Sequence, residues 1–152
     1  MATYIQIGST VTVGAGGAAN IEFTSIPSTY TDLVVKLSAR NSSTDGAVKI
    51  SFNGNSSTGT YRFLQGSGAA AMSTDTASTF SSFEIYIPNA FGTTQKSIST
   101  DNVTENNGTT AYATMLATLV NLTSAITSLK LEPSANSFAQ YTTASLYGIS
   151  KS

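Results

Sequence analysis

Over long stretches of this chain every second residue is apolar, and that alternation limits its folding options more than any motif does. In Asp32–Arg40, Leu33, Val35, Leu37 and Ala39 fall on one side, and Val34, Lys36, Ser38 and Arg40 on the other. Val48, Ile50 and Phe52 alternate with Lys49 and Ser51, and Phe83, Ile85 and Ile87 with Glu84 and Tyr86. A period of two gathers such residues on one face of a pleated strand, whereas a helix would scatter them. Similar β-like runs are Tyr4–Val13, Ala19–Thr24, Thr60–Leu64, Lys96–Thr104, Tyr112–Leu122, Ile126–Leu131 and Ala144–Ile149, about ten strands by pattern. Only Ala111–Leu122 is long enough for a helix, and its Thr and Val content and flanking turns favour a long strand.

Turn chemistry separates these runs. Gly14–Gly17 parts the first two, Pro27 interrupts the sheet before Asp32, and Asn53-Gly54 is a hairpin signal after Phe52. Pro88-Asn89, Asn106-Asn107-Gly108 and Glu132-Pro133 end others. Many short strands and no convincing helix predict an all-β, single-domain antiparallel β-sandwich over residues 1–152, and the strand count favours a jelly roll. Asn41–Gly46 and the longer Gly66–Thr79, which has little to bury, read as loops.

The chemistry open to such a chain is narrow. It has no histidine, cysteine or tryptophan, roughly a third of it is serine or threonine, and 10% is charged. General acid–base and nucleophilic mechanisms draw mainly on groups that are missing here. No catalytic residue, metal ligand or cofactor is therefore expected. Asp101 and Glu105, with Asn102, Asn106 and Asn107, are the closest approach to a calcium site or a glycosidase pair, but turn polarity explains them better. Lys96 near Ser97 and Ser99 is an adjacency that a serine-rich chain produces by chance. Gly14–Gly17 lacks the Gly-Lys-Ser/Thr of a phosphate loop. The Asn-x-Ser/Thr triplets at Asn41, Asn55, Asn102, Asn107 and Asn121 follow from Ser/Thr richness.

A formal net charge of −1 argues against nucleic acid as a partner. No run reaches the length of a membrane-crossing helix, and no secretory signal is visible, so no membrane partner and synthesis in the cytoplasm are expected. A surface so poor in charge resists association weakly, which suits a chain with a permanent protein neighbour. The expected contact residues are Ala2, Tyr4 and Ile5 in an N-terminal arm, residues 1–7, and Tyr61, Arg62, Phe63 and Leu64, where aromatics and an arginine cluster in a run that equally reads as one core strand with an outward Arg. The loop Gly66–Thr79 is a further contact region. Tyrosines spread from Tyr4 to Tyr147 are consistent with buried rings or with a sugar-stacking platform.

Several phrases bear on family. They are Ala2-Thr3-Tyr4-Ile5-Gln6-Ile7, Thr12–Ala19, Ile26–Leu33, Ile87-Pro88-Asn89, Glu105-Asn106-Asn107 and, most distinctive, Phe138–Ile149. Together they resemble a family of small tailed-bacteriophage virion surface proteins, the capsid decoration or cement proteins. The resemblance implies a β-sandwich on the outer capsid surface, a homotrimer, and the major capsid protein as partner. It carries no catalytic residue. Related sequences in tail or head fibres imply an alternative, a host-adhesion module that binds glycans.

Overall fold

The computed structural model describes residues 3–55, 62–64, 70–104, 107–109 and 112–150. Among them are ten strands and no helix: β1 (Tyr4–Thr12), β2 (Ile21–Phe23), β3 (Asp32–Ala39), β4 (Val48–Phe52), β5 (Arg62–Leu64), β6 (Ser81–Ile87), β7 (Lys96–Thr104), β8 (Tyr112–Val120), β9 (Leu129–Pro133) and β10 (Thr143–Ile149). They form a six-stranded sheet, β1-β10-β3-β6-β7-β8, and a four-stranded sheet, β2-β9-β4-β5. Every pairing between strands is antiparallel. The chain is therefore an all-β antiparallel sandwich, as the alternation predicts.

Burial follows the pleat. In β7 each alternate residue from Lys96 to Thr104 is buried and each residue between is exposed. Leu33, Val35 and Leu37 of β3, Phe83, Ile85 and Ile87 of β6 and Leu146 of β10 meet Ile21, Ile50, Phe52, Leu129 and Leu131 of the smaller sheet in one hydrophobic core. Burying side chains of this size contributes about 1.5–3 kcal/mol each, enough to fix which face of every strand points inward.

Two turns show why particular residues are needed. Asn53 and Gly54 both have positive φ, 54° and 68°, and Asn55 N–H donates to the Phe52 carbonyl at 3.0 Å. That is the primed geometry matching the twist of a hairpin. The Asn53 side chain then reaches across to the segment before β9. Its Oδ1 accepts from Thr127 N at 2.8 Å, Thr127 Oγ1 at 3.1 Å and Ser128 N at 3.2 Å, and its Nδ2 donates to Ala125 O at 2.8 Å. Those bonds hold Ala125–Ser128 as a cap, so pairing starts at Leu129 and not at Ile126, where the sequence pattern begins the strand. Elsewhere, Gly148 lies in mid-strand beneath the Tyr30 ring, and any Cβ there would collide with it.

Two further expectations are revised. Ala2 lies outside the described residues, but Tyr4–Ile7, expected in an arm, pair with Leu146–Ile149 as part of an edge strand. Residues 70–79 of the expected loop are not without burial: Ala70 and Ala71 are fully buried. Ala70 N–H donates to Gly46 O, Ser73 N–H to Ser43 O, and Met72 N–H to Asp75 Oδ2 at 2.6 Å. Arg40 completes the tie, donating to Asp75 O at 2.9 Å, to Thr76 O at 2.9 Å, and to both oxygens of Thr79 at 3.1 Å.

Candidate functional site on the outer face of the large sheet

Ladder register decides what the large sheet shows to its surroundings. One row across it reads Gln6, Tyr147, Val34, Tyr86, Ser99, Ala117. The next row reads Ser145, Lys36, Glu84, Asp101, Met115, and on the other side Tyr4, Ile149 and Asp32 stand abreast. Tyrosines far apart in the chain thus share one face. Val34 belongs to this outer face yet is completely buried. Its neighbours along the row, Tyr147 and Tyr86, are themselves only partly exposed, consistent with large side chains leaning over a small one.

Tyr86 is held in place. Its hydroxyl donates to Asp32 Oδ2 at 2.8 Å, and Asn89 N–H donates to Asp32 Oδ1 at 2.8 Å. The hydrogen bond to the Asp32 carboxylate, with some burial, raises the Tyr86 pKa above the ordinary phenol value. Beside it, Lys36 forms an exposed ion pair with Glu84. An open cavity of about 490 Å³ lies between Tyr4, Asp32, Glu84, Tyr86, Ser99 and Ile149. A smaller one of about 220 Å³ continues from Glu84, Tyr86 and Ser99 to Asp101, Met115 and Ala117.

Past that second cavity the face turns apolar. Met115 is 87% exposed and Leu119 58% exposed, and both point outward from β8, with Val103 of β7 exposed nearby. β8 is the edge of the sheet; its nine residues, YATMLATLV, carry no charge and no proline, and its register with β7 runs unbroken from Lys96↔Val120 to Thr104↔Tyr112.

The sequence-predicted contact residues are scattered by this geometry. Tyr4 and Ile5 lie on β1, 57% and 42% exposed. Arg62, Phe63 and Leu64 form β5, the edge of the other sheet, paired with Ile50, Lys49 and Val48. Ala2 and Tyr61 lie outside the described residues. The two groups are therefore on different sheets, and no described element joins them into one patch.

Nor are the residues weighed for catalysis assembled. Asp101 is exposed and Asn102 buried because neighbours on a strand face opposite ways, while Glu105 and Asn106 fall outside the described residues. Among the described residues no three His, Cys, Asp or Glu side chains come together to hold a metal ion. Lys96 points inward and Ser97 and Ser99 outward. The Lys96 ammonium donates to the Gly92 and Thr94 carbonyls at 2.6 Å each, tying the connection that precedes its own strand, and burial lowers its pKa. Gly14–Gly17 is a turn closed by Gly17 N–H on Gly14 O at 3.0 Å.

No family model, curated protein or solved structure matches this chain. The sheet faces and edges themselves must carry the functional reading. Sequence reasoning left open whether the tyrosines are buried or share a surface, since nothing in the spacing of Tyr4, Tyr86 and Tyr147 signals that they share a face. It also missed the roles of Arg40 and Lys96, whose acceptors are mostly backbone carbonyls and so leave no side-chain signature.

Proposed function

We propose that the protein is a structural component of a tailed-bacteriophage virion, a decoration or cement protein that sits as a homotrimer on the outer capsid surface and bridges major capsid protein subunits. The observation that carries this reading is the β8 edge: long, uncharged, unbulged and flanked by exposed Met115, Leu119 and Val103. Natural sheets protect such edges with charge, proline, bulges or a covering partner. β8 shows none of the first three, and its exposed Met115 offers apolar surface that a protein neighbour staying bound would cover. A shell under outward pressure gains from clips of this kind, because modest contacts repeated around a trimer act together.

The topology supports the same class. With the β7–β8 pair set aside, the remaining orders are β1-β10-β3-β6 and β2-β9-β4-β5. We read this as an eight-stranded jelly roll, a frame common among viral capsid domains, with a hairpin added to one sheet. The added hairpin is the part that supplies the uncharged edge.

The test has two arms. Light scattering on the purified protein should give three times the chain mass, and a reconstruction of the particle with and without the protein should differ by density on the outer shell. A stable monomer that leaves particles unchanged, or density confined to the tail, overturns the reading.

A further inference from the structure

A second use of the large sheet lies at its other end, and it does not depend on the virion reading. We propose that the face formed by Tyr4, Tyr86, Tyr147 and Asp32 binds a neutral oligosaccharide. Saccharide recognition needs a flat apolar surface for the C–H face of a sugar ring and fixed polar groups for its hydroxyls. Both are present. Register brings Tyr4 and Tyr147 from the strands at one edge beside Tyr86 from the middle of the sheet. An open depression of about 490 Å³ lies between Tyr4, Asp32, Glu84, Tyr86, Ser99 and Ile149.

The polar groups are pre-set. Each Asp32 oxygen already accepts one hydrogen bond, from Tyr86 and from Asn89, and a carboxylate oxygen has a lone pair to spare for a sugar hydroxyl. The same two bonds fix the Tyr86 ring before any ligand arrives, which lowers the ordering cost of binding. Ser99 adds a hydroxyl that either donates or accepts.

Charge selects the ligand class. Glu84 is paired with Lys36, Asp32 is held by two donors, and the whole chain carries a formal net charge of −1. An anionic ligand finds no free cation among the residues lining the cavity, and a cationic one meets carboxylates already engaged. A neutral, hydroxyl-rich chain matches acceptors, hydroxyls and ring faces together.

The test is a glycan array carrying bacterial surface polysaccharides and neutral oligosaccharides, probed with the protein displayed in many copies on beads so that weak single-site binding registers. Binding to neutral glycans is expected, weakened about tenfold or more by Tyr86→Ala and by Tyr4→Ala. Tyr141→Ala, which removes an exposed tyrosine from a distant turn, should leave it intact. Tyr86→Phe keeps the ring and drops the bond to Asp32, so it should bind at an intermediate level and guards against misfolding of the alanine variant. No glycan bound, or binding that survives both alanine substitutions, overturns the proposal. Binding only to charged glycans and abolished by salt overturns it too. None of these outcomes bears on whether the Met115 edge assembles.

Discussion

The two sheets treat their edges in opposite ways. The smaller one ends in β2, three residues that include the exposed Glu22, and in β5 (Arg62–Leu64). The larger one ends in β1 and β8, nine residues each, with no charge in either. β1 is nevertheless interrupted: Gly8 sits at φ 70° and the register shifts between Ile7 and Val11, a bulge that spoils it as a template. β8 has no such break. β2 is blunted by shortness with a charge and β1 by a bulge, whereas β8 is flat and apolar. The difference teaches that lack of charge alone does not leave an edge open as a pairing template; the register must also run unbroken.

The strongest way to break this comparison is to give β8 the protection that β2 has. Met115→Lys together with Leu119→Lys places two charges on exposed side chains. Light scattering should then fall from the assembled mass to the 15.7 kDa of a single chain. Unfolding stability should move by less than about 0.5 kcal/mol, because surface changes away from packed features cost little. An assembly that persists with both lysines present places the interface elsewhere.

Changes inside the fold should do the reverse, costing stability and sparing assembly. Arg40→Ala strips four hydrogen bonds from the connection between Asp75 and Thr79. Bonds to a charged donor are the stronger kind, and the expected loss is about 3 kcal/mol in denaturant unfolding, with new protease sensitivity near residue 76. Asn53→Gly keeps the positive φ that the turn needs but removes the side chain that caps Ala125–Ser128. Its cost should be smaller, about 1–2 kcal/mol, with the molar mass unchanged.

The finest contrast is electrostatic. The Ser134 hydroxyl lies beside Asp45 without a hydrogen bond of good geometry, and Ala47 N–H donates to Asp45 Oδ1 at 2.9 Å. These neighbours, with Lys49 farther off, hold the Asp45 carboxyl below the usual carboxylate range. A folded-state pKa below the unfolded one adds stability above about pH 4 and gives it up as the pH falls through the folded value. Solvent screens this exposed group, so the effect should be the smallest of the four. Urea titrations between pH 3 and 6 should show it, and Asp45→Asn should flatten the slope without touching assembly.

How much of this was legible in the chain depends on the range of the physics involved. The inward side of β6, Phe83, Ile85 and Ile87, could be read from the sequence because pleat periodicity is local. The Asn53-Gly54 turn was legible for the same reason. The start of β9 was not, since Ile126–Ser128 have strand-like sequence but are claimed by Asn53 at the end of the neighbouring β4. Val34 reads as an outward residue and is one, yet it is completely buried, and its ladder neighbours Tyr86 and Tyr147 are far away in the chain. Residues 70–79 look featureless because their partners are backbone carbonyls and amides and the side chains of Arg40 and Asp75, a pattern with no fixed spacing.

By itself the sequence determined the class of fold, the facing of most strands, and the poverty of reactive groups, all of which follow from residue type and a two-residue period. Tertiary structure alone decided which strands become neighbours. Through that choice it put three distant tyrosines on one face and, among the described strands, left β8 as an uninterrupted uncharged edge. Side-chain periodicity is set within a few residues, but sheet order is set by how loops close and which faces bury the most apolar surface, and those terms are summed over the whole chain.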